Sequence, residues 1–415
     1  MIRMSLCSTI GIVLTFGLSF CSAAVGDDAT VGETLPAWEE GSLEIHHINT
    51  GRGDTTFFVF PDGTTMLFDA GDLPDAARPT GYIPPRRPDA SRPTGEWIGR
   101  YIRARHPDRQ EPVLDFAVMS HFHGDHINAI ADVAGLVPIR EMLDRAGPDD
   151  ASFPDNATTR RYREFVERQV ERGMELQRFQ AGRDDQLVLR FAPERFPRFR
   201  IRNLAVNGQV WTGEGSSTRQ VIADAGDENM MSAAFVLRYG DFGYYLGADL
   251  QEPMEKAVAP VIGPVDVHVA NHHGSQAHPD FLARLQPRVH IVHVWAVIQP
   301  RPHVFERLFD ESIYPGPRDV FLTNGLWPGR AEHFLERYNE RVASLIDDYK
   351  VEVGQKYVDY YMPKVAADQG HIVVRVDQGG ERYRVLVLDD RDECLTIQSI
   401  HGPYQSRSAV SRFGP

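Results

Sequence analysis

The segment "VMSHFHGDHINAI", residues 118 to 130, constrains this chain more than any other. It brings His121, His123, Asp125 and His126 together at the end of the apolar run "VLDFAVMS". An apolar core would have to satisfy every ring nitrogen, and a solvated loop has no use for the cluster. In an extended segment, residues two apart project to the same side, so His121 and His123 can aim at one point. Gly124 then permits a sharp turn that swings Asp125 and His126 toward a neighbouring point. Neutral imidazole and carboxylate oxygen are good ligands for zinc and related metals. The pattern predicts two adjacent metal sites, against the plainer reading of a hydrogen-bonded histidine cluster without metal.

A metal pair needs further ligands, one of them able to bridge. "YYLGADL" sets Asp249 just past an apolar strand, and "VDVHVANHHGS" sets His272 and His273 past another. Each is weak alone. Beside the first cluster they become the expected missing ligands at strand ends.

Taken together, "SHFHGDH", "LFDAG" with Asp69, "LGADL" and "ANHHGS" resemble the metallo-β-lactamase superfamily, over most of residues 43 to 300. Gly51-x-Gly53-Asp54, Asn229-x-x-Ser232 and the His-His-Gly-Ser run are most similar to the metallohydrolase domain of bacterial DNA-uptake (competence) proteins. The resemblance implies an α/β (α+β) fold, an αββα four-layer sandwich with a metal pair at one edge, here with an insertion and a C-terminal extension. It implies that His121 and His123 bind the first metal, and Asp125 and His126 the second. Asp249 would bridge and His272 would complete the second site, with His273 as the alternative or a substrate contact. Asp125, Asp249 and His273 are the implied catalytic groups, and buried Asp69 would orient the cluster. Two divalent ions, zinc first and manganese or iron as alternatives, are the implied cofactors. The chain also departs from the pattern. No histidine lies between His126 and His268, so the first metal is short of a protein ligand unless Asn229 or water fills the place. Gly247-Ala248-Asp249 stands where the competence branch has Gly-Asp, and "QPRPHVF" where it often has Gly-His-Pro.

Two metals supply a water that ionises near neutral pH, with a pKa of about 7 instead of about 15.7, and stabilise a developing oxyanion. The expected function is therefore a metal-dependent hydrolase using a metal-bridging hydroxide. No Gly-x-Ser-x-Gly elbow and no phosphate-cradling Gly-Lys-Ser/Thr loop competes with this reading. Phosphodiester or other phosphoester substrates are favoured, from the branch resemblance and from Arg52, Arg78, Arg86, Arg87 and Arg92 near the expected mouth. The alternatives are lactam, lactone or other ester hydrolysis, or a non-catalytic metal- or partner-binding protein on the same fold. A net charge of −14 disfavours nonspecific nucleic-acid binding, so any such partner needs a local basic patch or a metal.

The N-terminus supplies Arg3, an apolar run through Phe20 and the small residues Ser22-Ala23-Ala24, which predict a signal peptide over 1–24 and export to the periplasm or exterior. A linker is expected over 25–40 and a catalytic domain over 41–400, with the insertion at about 135–228 and a tail at 401–415. No transmembrane segment is expected in the mature chain. Its one remaining cysteine, Cys394, cannot form an internal disulfide. Helices are expected over 96–105, 158–179 and 330–349. Strands are expected at "QLVLRFAP", "FRIRNLAVNG" and "QVWTG", and a hairpin around Gly379-Gly380.

Overall fold

A computed structural model of the chain describes residues 29–74, 83–148, 153–223, 226–296, 299–325 and 357–407. The expected signal peptide, the expected helix at 330–349 and Arg78 lie outside these residues.

Alternating and continuous apolar runs build two sheets. In the first, β1 (Leu43–His47), β2 (Thr56–Val59) and β3 (Thr65–Phe68) form an antiparallel meander. The β2–β3 turn is the predicted Asp62-Gly63 turn, with Gly63 at φ 89° and Thr64 N–H donating to Asp62 Oδ1 at 3.0 Å. Helix α1 (Thr94–Arg105) crosses to β4 (Leu114–Met119), which lies parallel to β3. All six β4 residues are buried, as expected of a strand covered on both faces. Then follow α2 (Gly124–Ile127), α3 (Ile130–Leu136), β5 (Ile139–Asp144), α4 (Ala157–Glu171) and β6 (Glu175–Arg178).

The second sheet contains β7 (Phe199–Val206), β8 (Gln209–Trp211), β9 (Thr218–Gln220), β10 (Ala234–Tyr239) and β11 (Phe242–Leu246). After α5 (Glu252–Ile262) come β12 (Val267–Val269), α6 (Asn271–Gly274), α7 (Pro279–Leu285), β13 (Val289–Val292), α8 (Pro302–Phe309) and β14 (Asp319–Leu322). The chain then returns to the first sheet through β15 (His371–Val376), β16 (Arg382–Leu388) and β17 (Ile397–Gln405). The strand orders are β17-β16-β15-β1-β2-β3-β4-β5-β6 and β14-β13-β12-β11-β10-β7-β8-β9.

The side-chain period of two sorts β10 between layers. Phe235, Leu237 and Tyr239 join Phe58, Phe68, Phe116 and Tyr244 between the sheets. Ala234 and Val236 face Met254 and Val258 of α5 and Phe281 of α7. On the other side, Ile98 and Ile102 of α1, Val133 of α3 and Phe165 of α4 cover the first sheet. The result is the expected αββα four-layer sandwich.

Some expectations are corrected. The helix expected through 179 stops at Glu171, because Gly173 turns at φ 101° and Glu175–Arg178 pairs in parallel with β5. "QLVLRFAP" is not a strand. Leu187 and Leu189 are buried between the sheets, but the nearby backbone donors are met by side chains. Arg190 N–H donates to Thr64 Oγ1, and Phe191 and Ala192 N–H to Asp62 Oδ2. Within the stretch 135–228, β5 and β6 extend the first sheet and β7 to β9 the second. Residues 401–405 belong to β17 rather than to a tail. Among the described residues, no helix is long and apolar enough to cross a membrane.

Candidate metal centre

The candidate ligands sit just past the C-terminal ends of β3, β4, β11 and β12, the edge where open α/β sheets place their ligands. Asp69 follows β3, the His121–His126 cluster follows β4, Asp249 follows β11, and His272 and His273 follow β12. The turns are tight. Asp69, Ala248, His272 and His273 all adopt positive φ, at 59°, 47°, 50° and 54°. Non-glycine residues rarely hold this conformation, and its clustering marks a site whose surroundings enforce it.

Two groups of donor atoms result, sharing Asp249. One contains Asp54, His126, Asp249 and His273, all buried, and the other His121, His123 and Asp249. His126 Nε2 lies 3.3 Å from Asp249 Oδ1, and His273 Nε2 lies 3.3 Å from Asp249 Oδ2 and 3.2 Å from Asp125 Oδ2. These separations are within ion-pair range, yet His126 Nε2, His273 Nε2 and Asp249 Oδ1 are buried without an aligned hydrogen-bond partner. Lone pairs that converge without bonding one another fit a shared cation. His121 Nε2 is 3.1 Å from His123 Nδ1 and 3.8 Å from Asp249 Oδ2.

The opposite ring nitrogens are held from behind. His126 Nδ1 donates to Asp69 Oδ2 at 2.8 Å, and His273 Nδ1 to Asp54 Oδ1 at 2.9 Å. Ser120 Oγ donates to Asp69 Oδ2 at 2.7 Å and lies 3.0 Å from His121 Nδ1. Each carboxylate fixes a ring so that Nε2 faces the centre, the arrangement that orients metal-binding histidines.

The charges also call for a cation. Burial alone would lower His126 and His273, but Asp249 acts on both, with Asp69 and Asp125 on His126 and Asp54 on His273, and both are raised well above the usual histidine range. Burial would raise Asp249, but His273, His126 and His272 bring it well below the usual range. Positive charge is therefore favoured among these carboxylates, and a bound ion would supply it. His121 is held well below its ordinary value by burial and by His126, so it is neutral and fit to ligate.

His272 and His273 separate. His273 lies with Asp125, His126 and Asp249, whereas His272 Nε2 is 3.8 Å from Asp249 Oδ2 and 3.3 Å from Asn229 Nδ2. His272 and His123 are the partly exposed members, so the centre opens on their side.

No protein-family model matches the chain. No curated protein matches it in sequence. Solved structures do show similarity. A protein from Parabacteroides distasonis described as a metal-dependent hydrolase is 13% identical, over 69% of this chain and 96% of that one, with a TM-score of 0.35. One from Thermotoga maritima, described as a Zn-dependent hydrolase of the metallo-β-lactamase superfamily, is 11% identical over 68% and 97%, with a TM-score of 0.30. The short form of human tRNase Z is 10% identical over 60% and 91%, with a TM-score of 0.28. Likeness at this level carries no functional argument.

That geometry adds residues the sequence reading left out of the site. Asp54 joins the cluster, and its signal was the Gly51-x-Gly53-Asp54 run. His293 Nδ1 lies 3.9 Å from Asp54 Oδ1, and its Nε2 is 2.9 Å from His47 Nδ1. Trp295 packs T-shaped on His273 with ring centroids 5.3 Å apart. The described arginines expected at the mouth are committed elsewhere. Arg52 donates to Pro84 O at 2.6 Å, Arg86 lies 3.7 Å from Asp72, Arg87 lies 3.9 Å from Asp390, and Arg92 pairs with Glu96.

Proposed function

We propose that this chain is a metal-dependent hydrolase with its active centre at Asp249. The observation that supports it most is the set of buried, unbonded donor atoms meeting around that carboxylate, with His126 and His273 each backed by a second carboxylate. We assign Asp125, His126, Asp249 and His273 to one ion, with Asp54 behind His273. We assign His121, His123 and Asp249 to the other, with His272 approaching the same Asp249 oxygen. Histidine nitrogens mixed with carboxylates suit zinc, with manganese or iron as alternatives. Bound there, such ions would supply Lewis acidity and a water acidic enough to ionise near neutral pH.

The protein's own residues do the rest. Asp69 and Asp54 keep the imidazole tautomers fixed, so Nε2 stays unprotonated toward the centre when a cation is present. Asp249 Oδ1 faces His126 while Oδ2 faces His273, His121 and His272, so the one carboxylate holds both groups in a single frame. His272, on the open side, is placed to meet an incoming substrate. The resemblance to the competence branch of the metallo-β-lactamase superfamily supports a phosphodiester or other phosphoester as the bond cleaved, and the Arg3, apolar and Ser22-Ala23-Ala24 pattern supports export.

The test is elemental analysis of protein purified with metal supplementation, followed by hydrolysis of phosphodiesters, phosphomonoesters, lactams and lactones with and without chelator. We expect at least one equivalent of metal and chelator-sensitive turnover of a phosphoester. Less than about half an equivalent of any transition metal would refute the reading.

A further inference from the structure

Beyond β13, Trp295 packs on His273, and Arg301 meets the His272–Gly274 turn. Arg301 N–H donates to Gly274 O at 2.9 Å, which fixes Arg301 beside the two histidines. The Arg301 side chain has no hydrogen bond or ion pair with any described residue, and its Nε is buried without an acceptor. It is half-buried, so its charge is neither neutralised nor fully solvated. Arg301 also precedes α8, whose N-terminal end adds positive potential there. A second donor lacks an acceptor among the described residues: Trp295 is 8% exposed, and its indole N–H is buried and unbonded in the residue that packs on His273.

We propose that Arg301 and Trp295 form an anion subsite beside the metal centre that takes the phosphoryl oxygens of a phosphate ester. Guanidinium matches phosphate geometry, and this one has no partner among the described residues although the chain's net charge is −14. The site would favour substrates carrying a negative charge next to the bond cleaved over neutral esters and lactones. It deepens the hydrolase reading and rests on it for the identity of the neighbouring centre.

The test is calorimetric titration of inorganic phosphate into the full protein, for the unaltered chain, Arg301→Gln and Arg301→Lys. Metal content and thermal unfolding are measured on each. Because the anchoring bond to Gly274 comes from the backbone, both variants should fold and keep their metal. We expect Arg301→Gln to weaken phosphate binding by about tenfold or more, with Lys in between. In turnover, KM for bis(p-nitrophenyl) phosphate should rise while that for neutral p-nitrophenyl acetate stays unchanged. No detectable phosphate binding by the unaltered protein, or equal binding by Arg301→Gln, overturns the subsite. Failure of the hydrolase reading looks different: metal is absent and the panel is not turned over, while phosphate binding and its dependence on Arg301 persist.

Discussion

Asp54 N–H donates to the backbone carbonyl of Asp125 at 2.9 Å, tying the loop after β1 to the histidine cluster after β4. That contact needs backbone to touch backbone. A Cβ on Gly53 would stand 2.3 Å from Asp125 O, and one on Gly71 only 1.8 Å away. Gly53 and Gly71 are therefore steric requirements of the site.

Gly71→Ala should accordingly force the Asp125 backbone out of place. We expect a loss of about 3 kcal/mol in unfolding free energy and a weakened hold on the metal served by Asp125. Gly135→Ala in α3 is the control. A Cβ added there would meet nothing within 4 Å, so the change should be neutral or stabilising by up to about 1 kcal/mol. Thermal unfolding of the two variants, with metal content, checks the pair.

Asp54→Asn should leave the fold intact but remove the charge behind His273. Carboxylates that orient a ligating imidazole typically carry about 10- to 100-fold in metal affinity. Competition with a chromophoric chelator should show a loss of that order in one of the bound ions and little change in the other.

Asp249→Ala should remove the carboxylate common to both donor groups. The fold should survive, since β11 is built by buried Phe242, Tyr244, Tyr245 and Leu246. We expect one ion to be lost and turnover to fall by about two orders of magnitude or more. Circular dichroism, metal content and turnover together decide. Near-normal turnover with full metal would take Asp249 out of the centre.

Much of this centre was legible because its residues cluster in sequence. His121 to His126 lie in one turn, and Asp249 and His273 follow strands that read clearly as apolar runs. What was hidden depends on long-range packing. Arg301 becomes notable only when β13 brings it beside Gly274, and Asp54 only when Gly53 and Gly71 let two loops meet. Arg52, Arg86 and Arg87 misled for the converse reason, since their carbonyl and carboxylate partners, Pro84, Asp72 and Asp390, are distant in sequence. "QLVLRFAP" has the composition of a strand, but Asp62 and Thr64 meet its backbone donors first, a competition invisible in local pattern.

Glu255 gives a pH prediction away from the ligands. It accepts from Asn271 Nδ2 at 2.8 Å and from His278 N–H at 2.6 Å, so it anchors the start of the His272–His273 turn. Burial pushes its carboxyl up to about 7, against the opposing pull of those hydrogen bonds. The folded state then binds more protons than the unfolded state between about pH 4.5 and 7, so this group's contribution falls as pH rises through that window. Unfolding free energy, measured by urea titration from pH 4.5 to 8, should lose up to about 3 kcal/mol of this contribution. Glu255→Gln should flatten the decline. An unchanged slope in the variant would place the titration elsewhere.

The two adjacent histidines should separate the two ions. His273 Nε2 is 3.2 Å from Asp125 and 3.3 Å from Asp249, and its ring is wholly buried behind Asp54. His272 Nε2 is farther from Asp249, at 3.8 Å, and its side chain is 23% exposed. His121 Nε2 lies at the same 3.8 Å from that oxygen, and we assign His272 to the His121–His123 group with it. His273→Ala should therefore cost the ion held by Asp125 and His126 and leave a buried void beside Trp295. Its unfolding free energy should fall by about 2 kcal/mol or more. His272→Ala should fold normally and keep that ion, but bind the His121–His123 ion more weakly. Cobalt substitution should make the difference visible, because the two proposed ions would have different donor sets and hence different absorption. Equal loss of both ions in both variants would merge the two groups into one site and end the division of labour between His272 and His273.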